Sequence, residues 1–445
     1  MTMERGNDIL EICRTSVKLA KHHGAQEVAA DAYRVREVSV SWRDGKLEKI
    51  TEATTRGLGM ALYVDGRYSV ASTSDLRPGA LETFIIDAIA LGRTLAPDPF
   101  RVLPDPSLYA DRPQVDLQLE DADYDQVKPE QRRRISRELE EGVRGERGSD
   151  AILSVSTGFS DSWGESVKVA SNGFEGMRYG TSYWVGAEVS VKDADGRRPE
   201  DGAYAGARFY GALPDHHAIA RDAARRAHGR LGARKVGTAV LPMALENRVA
   251  GRMVGALIGP LSASSLQQKR SFLEGKLGTK IGSDKLNIID DPLIPRAFGS
   301  RLFDGEGISA RRMPVFEGGV LKTFYVDTYY GKKLGMAPTT GRASNLVFPG
   351  GAGDQKSLLA DMKEGILVTG FLGGNTNAST GDFSLGVQGF MVRGGQIAEP
   401  ISEMNIAGNQ MEIWQRLVGV GADPYPYSAM MTPTLVFDGV QFAGL

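Results

Sequence analysis

Metal chemistry is the first question that the titratable residues raise. No His-Glu-x-x-His or His-Glu-x-x-x-His motif occurs, and a single cysteine excludes a Cys-x-x-Cys pair. The sequence contains five histidines: His22, His23, His216, His217 and His228. His217 and His228 share roughly one face of a predicted helix, but eleven residues separate them by about 17 Å, too far to hold one ion. We therefore predict no metal site in this chain.

Nucleophilic and phosphate chemistry lack their usual motifs as well. There is no Gly-x-Ser-x-Gly elbow, because Ser384 in "GDFSLG" has the wrong spacing, and no Gly-x-x-x-x-Gly-Lys-Ser/Thr loop. All five histidines lie in predicted helices, which disfavours a Ser-His-Asp triad. Asp304 and Glu306 in "FDGEGIS" would suit a hard cation, although carboxylates in such turns more often cap the backbone. These patterns predict no catalytic residue.

The segment with the strongest composition bias is "GGNTNASTGDFSLGVQGFMVRGGQIAE", residues 373–399. Small, turn-prone residues accumulate where a backbone bends sharply or approaches another group closely. Exposed backbone suits an extended peptide that binds by strand addition, or a subunit interface. Turns that only serve the fold are the alternative. The candidate peptide-binding or interface residues are Gly373, Gly374, Asn375, Thr376, Asn377, Thr380, Gly381, Asp382, Phe383 and Ser384.

Composition and charge narrow the classes of function. With 53 basic and 55 acidic residues the net charge is −2, which argues against a general nucleic-acid surface. The lone Cys13 excludes an intrachain disulfide and indicates a cytoplasmic location. Glu4 and Arg5 interrupt the apolar core that a signal peptide would need. No uncharged apolar run reaches about 20 residues, so we predict no membrane span.

The elements that position these residues are of mixed type, which predicts an α+β fold. Helical periodicity covers residues 9–20, 78–95, 129–143 and 214–229, while Asp-Gly and Asn-Gly turns such as Asp65-Gly66 and Asn172-Gly173 predict antiparallel hairpins. The chain becomes glycine-rich and β-rich after Lys235, beginning with the strand "GTAVLPM" and the helix "PMALENRVAGRMVGALIG". We predict two mixed α/β units, residues 1–110 and 111–234, followed by a β-rich C-terminal domain, residues 235–445.

Three separated stretches resemble the TldD/PmbA family. They are "VSVSWRDGKLEKITEATTRGLGMALYVDGRYSVASTSDL", "FDGEGISARRMPVFEGGVLKTFYVDTYYGKKLG" and "GGNTNASTGDFSLGVQGFMVRGGQIAEPISEMNIAGNQMEIWQRLVGVGAD". The resemblance covers nearly the whole chain, residues 38–444, in the same order. The family that this resemblance implies has two arms. The TldD arm is similar to a zinc peptidase with His-Glu-x-x-x-His on a helix and a cysteine ligand near the C-terminus. The TldE arm, also called PmbA, lacks those ligands and pairs with TldD in a heterodimer.

The ligand positions decide between the two arms. The helix expected to carry both histidines reads "MALENRVAGRMVG", which keeps Glu246 but has no histidine, and the expected cysteine insertion is only "PYPYSAMMT". A catalytic zinc needs about three protein ligands. Without the ion, water keeps a pKa near 15.7 and is not a nucleophile at neutral pH. The resemblance therefore implies the TldE/PmbA arm, with no cofactor in this chain and zinc in a TldD-type partner.

The resemblance implies a function in proteolysis, under the older name modulator of DNA gyrase. The leading hypothesis is a non-catalytic subunit that completes the peptide channel of a heterodimeric zinc metallopeptidase acting on unfolded or precursor peptides. The second is a stand-alone homodimer that binds peptides or modulates a target without proteolysis. The third is a hydrolase with Glu246 as its base. Met430 and Met431 stand where the cysteine insertion is expected, and they are candidates for contact with the partner.

Overall fold

The structure is a computed structural model that describes residues 7–445, so Glu4 and Arg5 lie outside the described residues. The helices are α1 Asn7–His22, α2 Pro78–Gly92, α3 Pro129–Arg144, α4 His216–His228, α5 Asn247–Ile258, α6 Ala263–Gln267, α7 Thr328–Leu334, α8 Gln355–Met362 and α9 Gln410–Ile413. The strands are β1 Glu27–Arg43, β2 Lys46–Val64, β3 Arg67–Thr73, β4 Ile152–Ala170, β5 Glu175–Val191, β6 Glu200–Ala207, β7 Ala239–Leu245, β8 Ile288–Asp290, β9 Met313–Glu317, β10 Val320–Leu321, β11 Leu346–Val347, β12 Gly365–Thr376, β13 Asp382–Arg393, β14 Gln396–Asn409, β15 Leu417–Val420 and β16 Leu435–Ala443.

The first six strands form one antiparallel sheet in the order β3-β2-β1-β4-β5-β6. The predicted units 1–110 and 111–234 share this sheet, because β1 pairs with β4 along its length. Helices α1 to α4 cover one face, and alternate residues of β4 such as Phe159, Trp163 and Val167 are buried beneath them. Cys13 is fully buried in this layer, and burial raises the pKa of its thiol to about 12.

The opposite face of this sheet carries small residues and is only partly covered. Between the buried positions β4 presents Ser160, Ser162, Gly164 and Ser166, each with intermediate exposure. Residues 291–310 of the C-terminal part, called here the bridging segment, cross this face. Two of its rings pack on the sheet side: Phe298 stacks on Trp184 with centroids 4.9 Å apart, and Phe303 meets Phe174 at 5.1 Å.

The C-terminal part is built on a second six-stranded sheet in the order β14-β13-β12-β7-β16-β15. An additional pairing of β14 with β16 closes it into a barrel-like structure. Its interior holds the fully buried side chains of Trp414, Phe437 and Phe442. A smaller sheet, β10-β9-β8-β11, lies beside it. The predicted α+β class with a β-rich C-terminal domain is confirmed, whereas the boundaries at residues 110 and 234 stay predictions.

The structure contains the predicted Asp65-Gly66 hairpin, but it differs from the predicted start of the helix after Pro242. The Asp65-Gly66 hairpin is present between β2 and β3, and both residues have positive φ, 50° and 72°. The helix predicted from Pro242 begins only at Asn247. Residues 243–245 instead continue β7, because they pair with β12 on one side and β16 on the other. No helix within residues 7–445 is long and apolar enough to span a membrane.

Candidate functional site

The predicted glycine-rich residues form the exposed end of the β12–β13 hairpin. Gly373 and Gly374 have φ of 116° and 101°, and the register of the two strands shifts between Phe371 and Gly374. A Cβ atom on Gly374 would lie 2.1 Å from the carbonyl oxygen of Ser384. Only glycine fits this close approach of two backbones, so the sequence bias at this point has a defined structural cause.

The turn that follows is held by hydrogen bonds within the hairpin. The N–H of Asn377 donates to the carbonyl of Asp382 at 2.8 Å, and the N–H of Gly381 donates to that of Asn377 at 2.8 Å. The Asn409 amide donates to the Thr380 carbonyl and to the Asp382 carboxylate, both at 2.9 Å. The Thr380 hydroxyl donates to the same carboxylate at 2.6 Å. These four predicted residues therefore stabilise the turn, which is the alternative interpretation of their composition.

The remaining predicted residues lie on strands that differ in exposure. Phe383 on β13 is buried in the barrel core, while Ser384 beside it is exposed. On β12 every residue from Leu372 to Thr376 is exposed. The sequence did not distinguish these environments, because a glycine-rich segment lacks the alternation of apolar and polar residues that marks a half-buried strand.

The outer edge of β12 is open along this exposed stretch. β12 pairs with β7 only at Ile366, Leu367 and Val368, whereas its pairing with β13 continues to Thr376. From Leu372 to Thr376, β12 thus has one strand neighbour among the described residues, over a length of about 16 Å at about 3.3 Å per residue. An edge strand of this kind presents unpaired backbone groups to an incoming chain.

Helix α5 lies beside the open edge. Arg252 on α5 donates through Nη2 to the Gly374 carbonyl at 3.1 Å, and its guanidinium lies 5.5 Å from the centre of the Phe371 ring. A polar groove of about 540 Å³ continues from the edge; its lining residues are Ser264, Ser265, Gln268, Arg270, Asn375, Thr376, Asn377, Ala378 and Ser379. The open edge, α5 and this groove together form the candidate site.

The part of α5 where the TldD-type motif is expected offers no zinc ligand. Gly251 and Gly255 face the thioether of Met430, because a Cβ on either glycine would lie 3.8 Å or 3.6 Å from its Sδ or Cε atom. The Thr432 hydroxyl donates to the Asn247 carbonyl at 2.8 Å, which fixes the loop on the helix. Neither imidazole nor thiolate is available here, so these residues do not fit a catalytic zinc.

The two methionines at this point have different surroundings. Met430 packs on α5 and the barrel core as a partly buried side chain. Met431 lines a separate hollow together with Phe348 and Pro433. A contact of either methionine with a partner subunit stays a prediction.

Glu246 is engaged in a buried ion pair at the entrance to α5. Both of its carboxylate oxygens accept hydrogen bonds from Arg226, each at 2.7 Å. Burial disfavours the charged form of Arg226, but the hydrogen bonds and charge of Glu246, together with the charge of Asp201, outweigh burial and raise the pKa of the guanidinium. A carboxylate held in this bidentate contact is a structural group, and its geometry does not favour the general-base role that the third hypothesis gives it.

Other side chains that could bind a metal ion instead form hydrogen bonds or ion pairs with neighbouring residues. Within residues 7–445 one cluster has three donors close enough for an ion: Asp215, His216 and His217. Asp215 caps α4 by accepting the N–H of His217 at 3.1 Å, and His216 Nε2 lies 3.1 Å from a Glu138 oxygen. Asp304 accepts the backbone N–H groups of Glu306, Ile308 and Gly341, as turn-capping carboxylates do.

A larger cavity, of about 980 Å³, lies between the first sheet and the bridging segment. Four arginines line it: Arg178, Arg208, Arg296 and Arg301. Sequence reasoning missed this cavity, because these arginines are spread over more than 120 positions and none of them belongs to a recognisable motif. The even spacing of serine and glycine along "SDSWGESVK" was the one available signal of an uncovered sheet face.

Family models match three parts of the chain in order. Residues 29–92 match the PmbA/TldA metallopeptidase domain 1, residues 122–231 match the central domain, and residues 238–444 match the C-terminal domain.

Individual relatives extend this likeness over the full length. The chain is 31% identical to the metalloprotease PmbA of Escherichia coli O157:H7, over 98% of this chain and 96% of that protein. It is 30% identical to a PmbA homologue of Haemophilus influenzae, over 96% and 94%. A Bacteroides thetaiotaomicron structure, described as a candidate modulator of DNA gyrase, superposes with a TM-score of 0.96 at 37% identity, covering 99% of this chain and 100% of that one. TldE from Thermococcus kodakarensis shares the fold, with a TM-score of 0.84 at 20% identity over 97% and 100%.

Proposed function

The chain belongs to the TldD/PmbA metallopeptidase family, in its PmbA/TldE arm, and from this premise we propose that it is the non-catalytic subunit of a heterodimeric zinc metallopeptidase. Its partner is a TldD-like subunit that supplies the zinc, and the substrates are unfolded or precursor peptides. The role of this chain is to hold the peptide in extended form and to complete the channel that leads to the partner's metal.

The open edge of β12 is the observation that carries this proposal. Residues 372–376 are exposed and have no strand partner on the side that faces α5, where the Gly374 carbonyl accepts a hydrogen bond from Arg252. The TldD arm is expected to carry its histidines on this helix. A peptide that added a strand here would lie beside α5 and the polar groove. Main-chain hydrogen bonds recognise a backbone of any sequence, which suits unfolded substrates.

The absence of zinc ligands on α5 supports the division of labour between two chains. Gly251 and Gly255 have no donor side chain and pack against Met430, while Glu246 is occupied by Arg226. Hydrolysis of a peptide bond in this family then requires hydroxide generated on the partner's ion. This chain contributes position and orientation, which lower the entropic part of the barrier.

A homodimeric peptide-binding protein or modulator without proteolysis is the second candidate. The same open edge favours it, because strand addition needs neither zinc nor a partner of the TldD type. The two candidates differ in one measurable property, which is zinc-dependent cleavage in the presence of a partner.

The test is a peptidase assay on an unfolded protein such as reduced casein, with this chain alone, a TldD-like partner alone and both together, alongside zinc stoichiometry. We expect cleavage to rise at least tenfold when both are present, with no zinc in this chain. Leu372→Lys, which places a charge on the open edge, should abolish the gain, because edge lysines prevent strand addition. Ile397→Lys, at a comparably exposed position on β14, is the matched control. Strong zinc-dependent cleavage by this chain alone would contradict the proposal.

A further inference from the structure

The cavity beneath the bridging segment has a floor that leaves room for a ligand. Ser162, Gly164 and Ser166 of β4 line it together with Gly180 of β5, and none of these side chains extends beyond a hydroxyl. The volume, about 980 Å³, lies at the upper end of the range of about 300–1,000 Å³ usual for small-molecule sites. Its position on the first sheet separates it from the open edge of β12.

Three arginines of this cavity are bonded to neutral oxygens only. Arg178 donates through Nη2 to the carbonyls of Phe303 and Asp304, the latter at 2.6 Å. Arg208 donates to the carbonyls of Thr181 at 3.1 Å and Phe298 at 2.9 Å.

Arg301, the third of these arginines, lies on the bridging segment itself. It donates to the carbonyls of Ala343 and Arg342 and to the hydroxyl of Thr340. None of the three guanidinium groups has a carboxylate within 4 Å in the described part of the chain. These three arginines therefore form no direct ion pair within residues 7–445.

Most carboxylates that surround the cavity are engaged elsewhere; Asp116 on its rim is exposed and accepts the backbone N–H of Gln118 at 2.8 Å. Glu165 forms an ion pair with Arg34, and Glu120 accepts the indole N–H of Trp163 at 2.9 Å. Asp304 uses its oxygens for backbone N–H groups and for the Thr340 hydroxyl. None of these carboxylates forms a direct ion pair with the three arginines, although the charge of Asp304 acts on Arg178 and Arg301 and that of Asp290 acts on Arg301. Such a lack of direct pairing is rare for partly buried arginines.

Burial affects these arginines as expected for cations without a directly bonded counterion. Loss of solvent and the neighbouring charge of Arg301 together lower the pKa of Arg178 to about 10, although the charge of Asp304 opposes this shift. Burial also lowers the pKa values of Arg208 and Arg301. The Nε atoms of Arg178 and Arg208 have no hydrogen-bond partner among the described residues. An anion would supply both the missing charge and the missing acceptors.

The rim of the cavity contains unusual backbone conformations. Gln118 and Arg296 both have positive φ, 50° and 63°, although neither is glycine. They contact each other through a hydrogen bond from Arg296 Nε to the Gln118 amide oxygen at 2.8 Å, and Arg296 N–H donates to the Leu117 carbonyl at 2.8 Å. Such conformations are energetically unfavourable for residues other than glycine and concentrate at ligand-binding positions.

We propose that this cavity is a binding site for the carboxylate groups of an extended acidic peptide, with Arg178, Arg208 and Arg301 as the groups that hold them. Guanidinium groups match the two oxygens of a carboxylate. A neighbouring hollow of about 360 Å³ shares Ser162 with the cavity and continues it along the sheet. Its lining contains Ser39, Ser160 and Ser182 but also Glu37 and Asp161, so the acidic part of the peptide belongs in the arginine-lined cavity and an uncharged part in this hollow. This continuity favours an extended chain over a single small anion. The site would exist whether or not the chain pairs with a zinc peptidase, so the inference goes beyond the proposed function.

The experiment measures binding of fluorescein-labelled hexaglutamate amide to the full chain by anisotropy at low salt. We expect it to bind at least tenfold more tightly than hexaglutamine amide, which has the same length and no charge. Hexaglutamine with a free C-terminus tests whether one terminal carboxylate is sufficient for binding. Binding of this peptide or of hexaglutamate amide, in preference to hexaglutamine amide, supports the site. The double variant Arg178→Gln/Arg208→Gln should weaken hexaglutamate binding at least tenfold. Arg225→Gln, on the exposed side of α4, is the matched control.

A second variant keeps the test independent of stability. Gly164→Phe places a ring on the cavity floor, where a Cβ makes ordinary contacts with Val35 and no closer ones, and it removes no charge. We expect the same loss of binding with an unchanged circular dichroism spectrum. Equal binding of hexaglutamate and hexaglutamine, or full binding in both cavity variants, would overturn the proposal. Inorganic phosphate that displaces the peptide at equal concentration would assign the site to free anions and overturn it too.

Discussion

Two groups of arginines connect the middle part of the chain to the C-terminal domain, and they are paired in opposite ways. In the first, Arg226 and Arg230 at the end of α4 are bound by the carboxylates of Asp201 on β6 and Glu246 before α5. In the second, Arg178 and Arg208 reach the bridging segment, where they lie over the rings of Phe303 and Phe298 but donate hydrogen bonds only to backbone carbonyls. We call them the paired cluster and the unpaired cluster.

This difference in pairing indicates a structural role for the arginines of the paired cluster and a binding role for those of the unpaired cluster. In the paired cluster every guanidinium faces a carboxylate at 2.6–3.2 Å, so removal of one partner leaves a buried charge. In the unpaired cluster carbonyl dipoles hold the arginines in position without neutralising them, beside a cavity of about 980 Å³. The same residue type thus fastens two domains at one place and remains available to an anion at the other.

The largest effect is expected from Asp201→Ala in the paired cluster. Asp201 is bonded to both arginines, whose side chains are only 8% and 3% exposed. Its removal should lower the free energy of unfolding by about 4 kcal/mol, because uncompensated buried charge is costly. Guanidinium chloride unfolding followed by tryptophan fluorescence measures it. Asp222→Ala, which removes the exposed partner of Arg225, is the control and should cost less than about 1 kcal/mol. A similar, small loss in both variants would remove the distinction between the clusters.

A smaller effect on the free energy of unfolding is expected when the pH is lowered. Burial opposes the charge of Asp201, but Arg226 and Arg230 outweigh burial and lower the pKa of its carboxyl. The unfolded chain binds this proton first, near pH 3.9, so the contribution of Asp201 is complete above that pH and is lost as the pH falls toward the lowered folded value. The difference in unfolding free energy between the wild type and Asp201→Asn should therefore be constant above about pH 5 and shrink below about pH 4. A difference that stays constant down to pH 2 would contradict the pairing.

Local sequence patterns predicted many elements but not these clusters. Periodicity predicted a helix with Pro214 at its first position and Gly229 near its end. The observed helix α4 spans His216–His228. Asp201 and Glu246 are 25 and 20 positions away from Arg226, so only the tertiary fold brings them together. The strand β7 extended past its predicted end for the same reason, since pairing with β12 and β16 outweighed the local helical pattern.

The candidate site was predicted in location but not in detail. Glycine enrichment identified the β12–β13 hairpin, because close backbone approach at Gly374 leaves a compositional signal. Composition did not separate the open edge at Leu372 from the hydrogen-bonded turn at Asn377, since both are rich in small polar residues. The unpaired cluster left no signal, because an arginine that faces a carbonyl and one that faces a carboxylate are identical in sequence.

The smallest effect on the free energy of unfolding is expected from Arg208→Gln, and this variant distinguishes the two clusters most directly. No carboxylate loses a counterion in this variant, and glutamine removes a charge that is partly desolvated. Two hydrogen bonds to carbonyls and a cation–π contact with the Phe298 ring are lost. Because the cost of burying the charge is lost as well, the free energy of unfolding should change by no more than about 1 kcal/mol. The same unfolding titration measures it. A loss of about 3 kcal/mol or more would mean that Arg208 stabilises the fold as the paired arginines do. Near-neutral stability together with weaker binding of hexaglutamate would instead show that its charge is kept for a ligand, because a group that contributes so little to the folded state is not needed to hold the domains together.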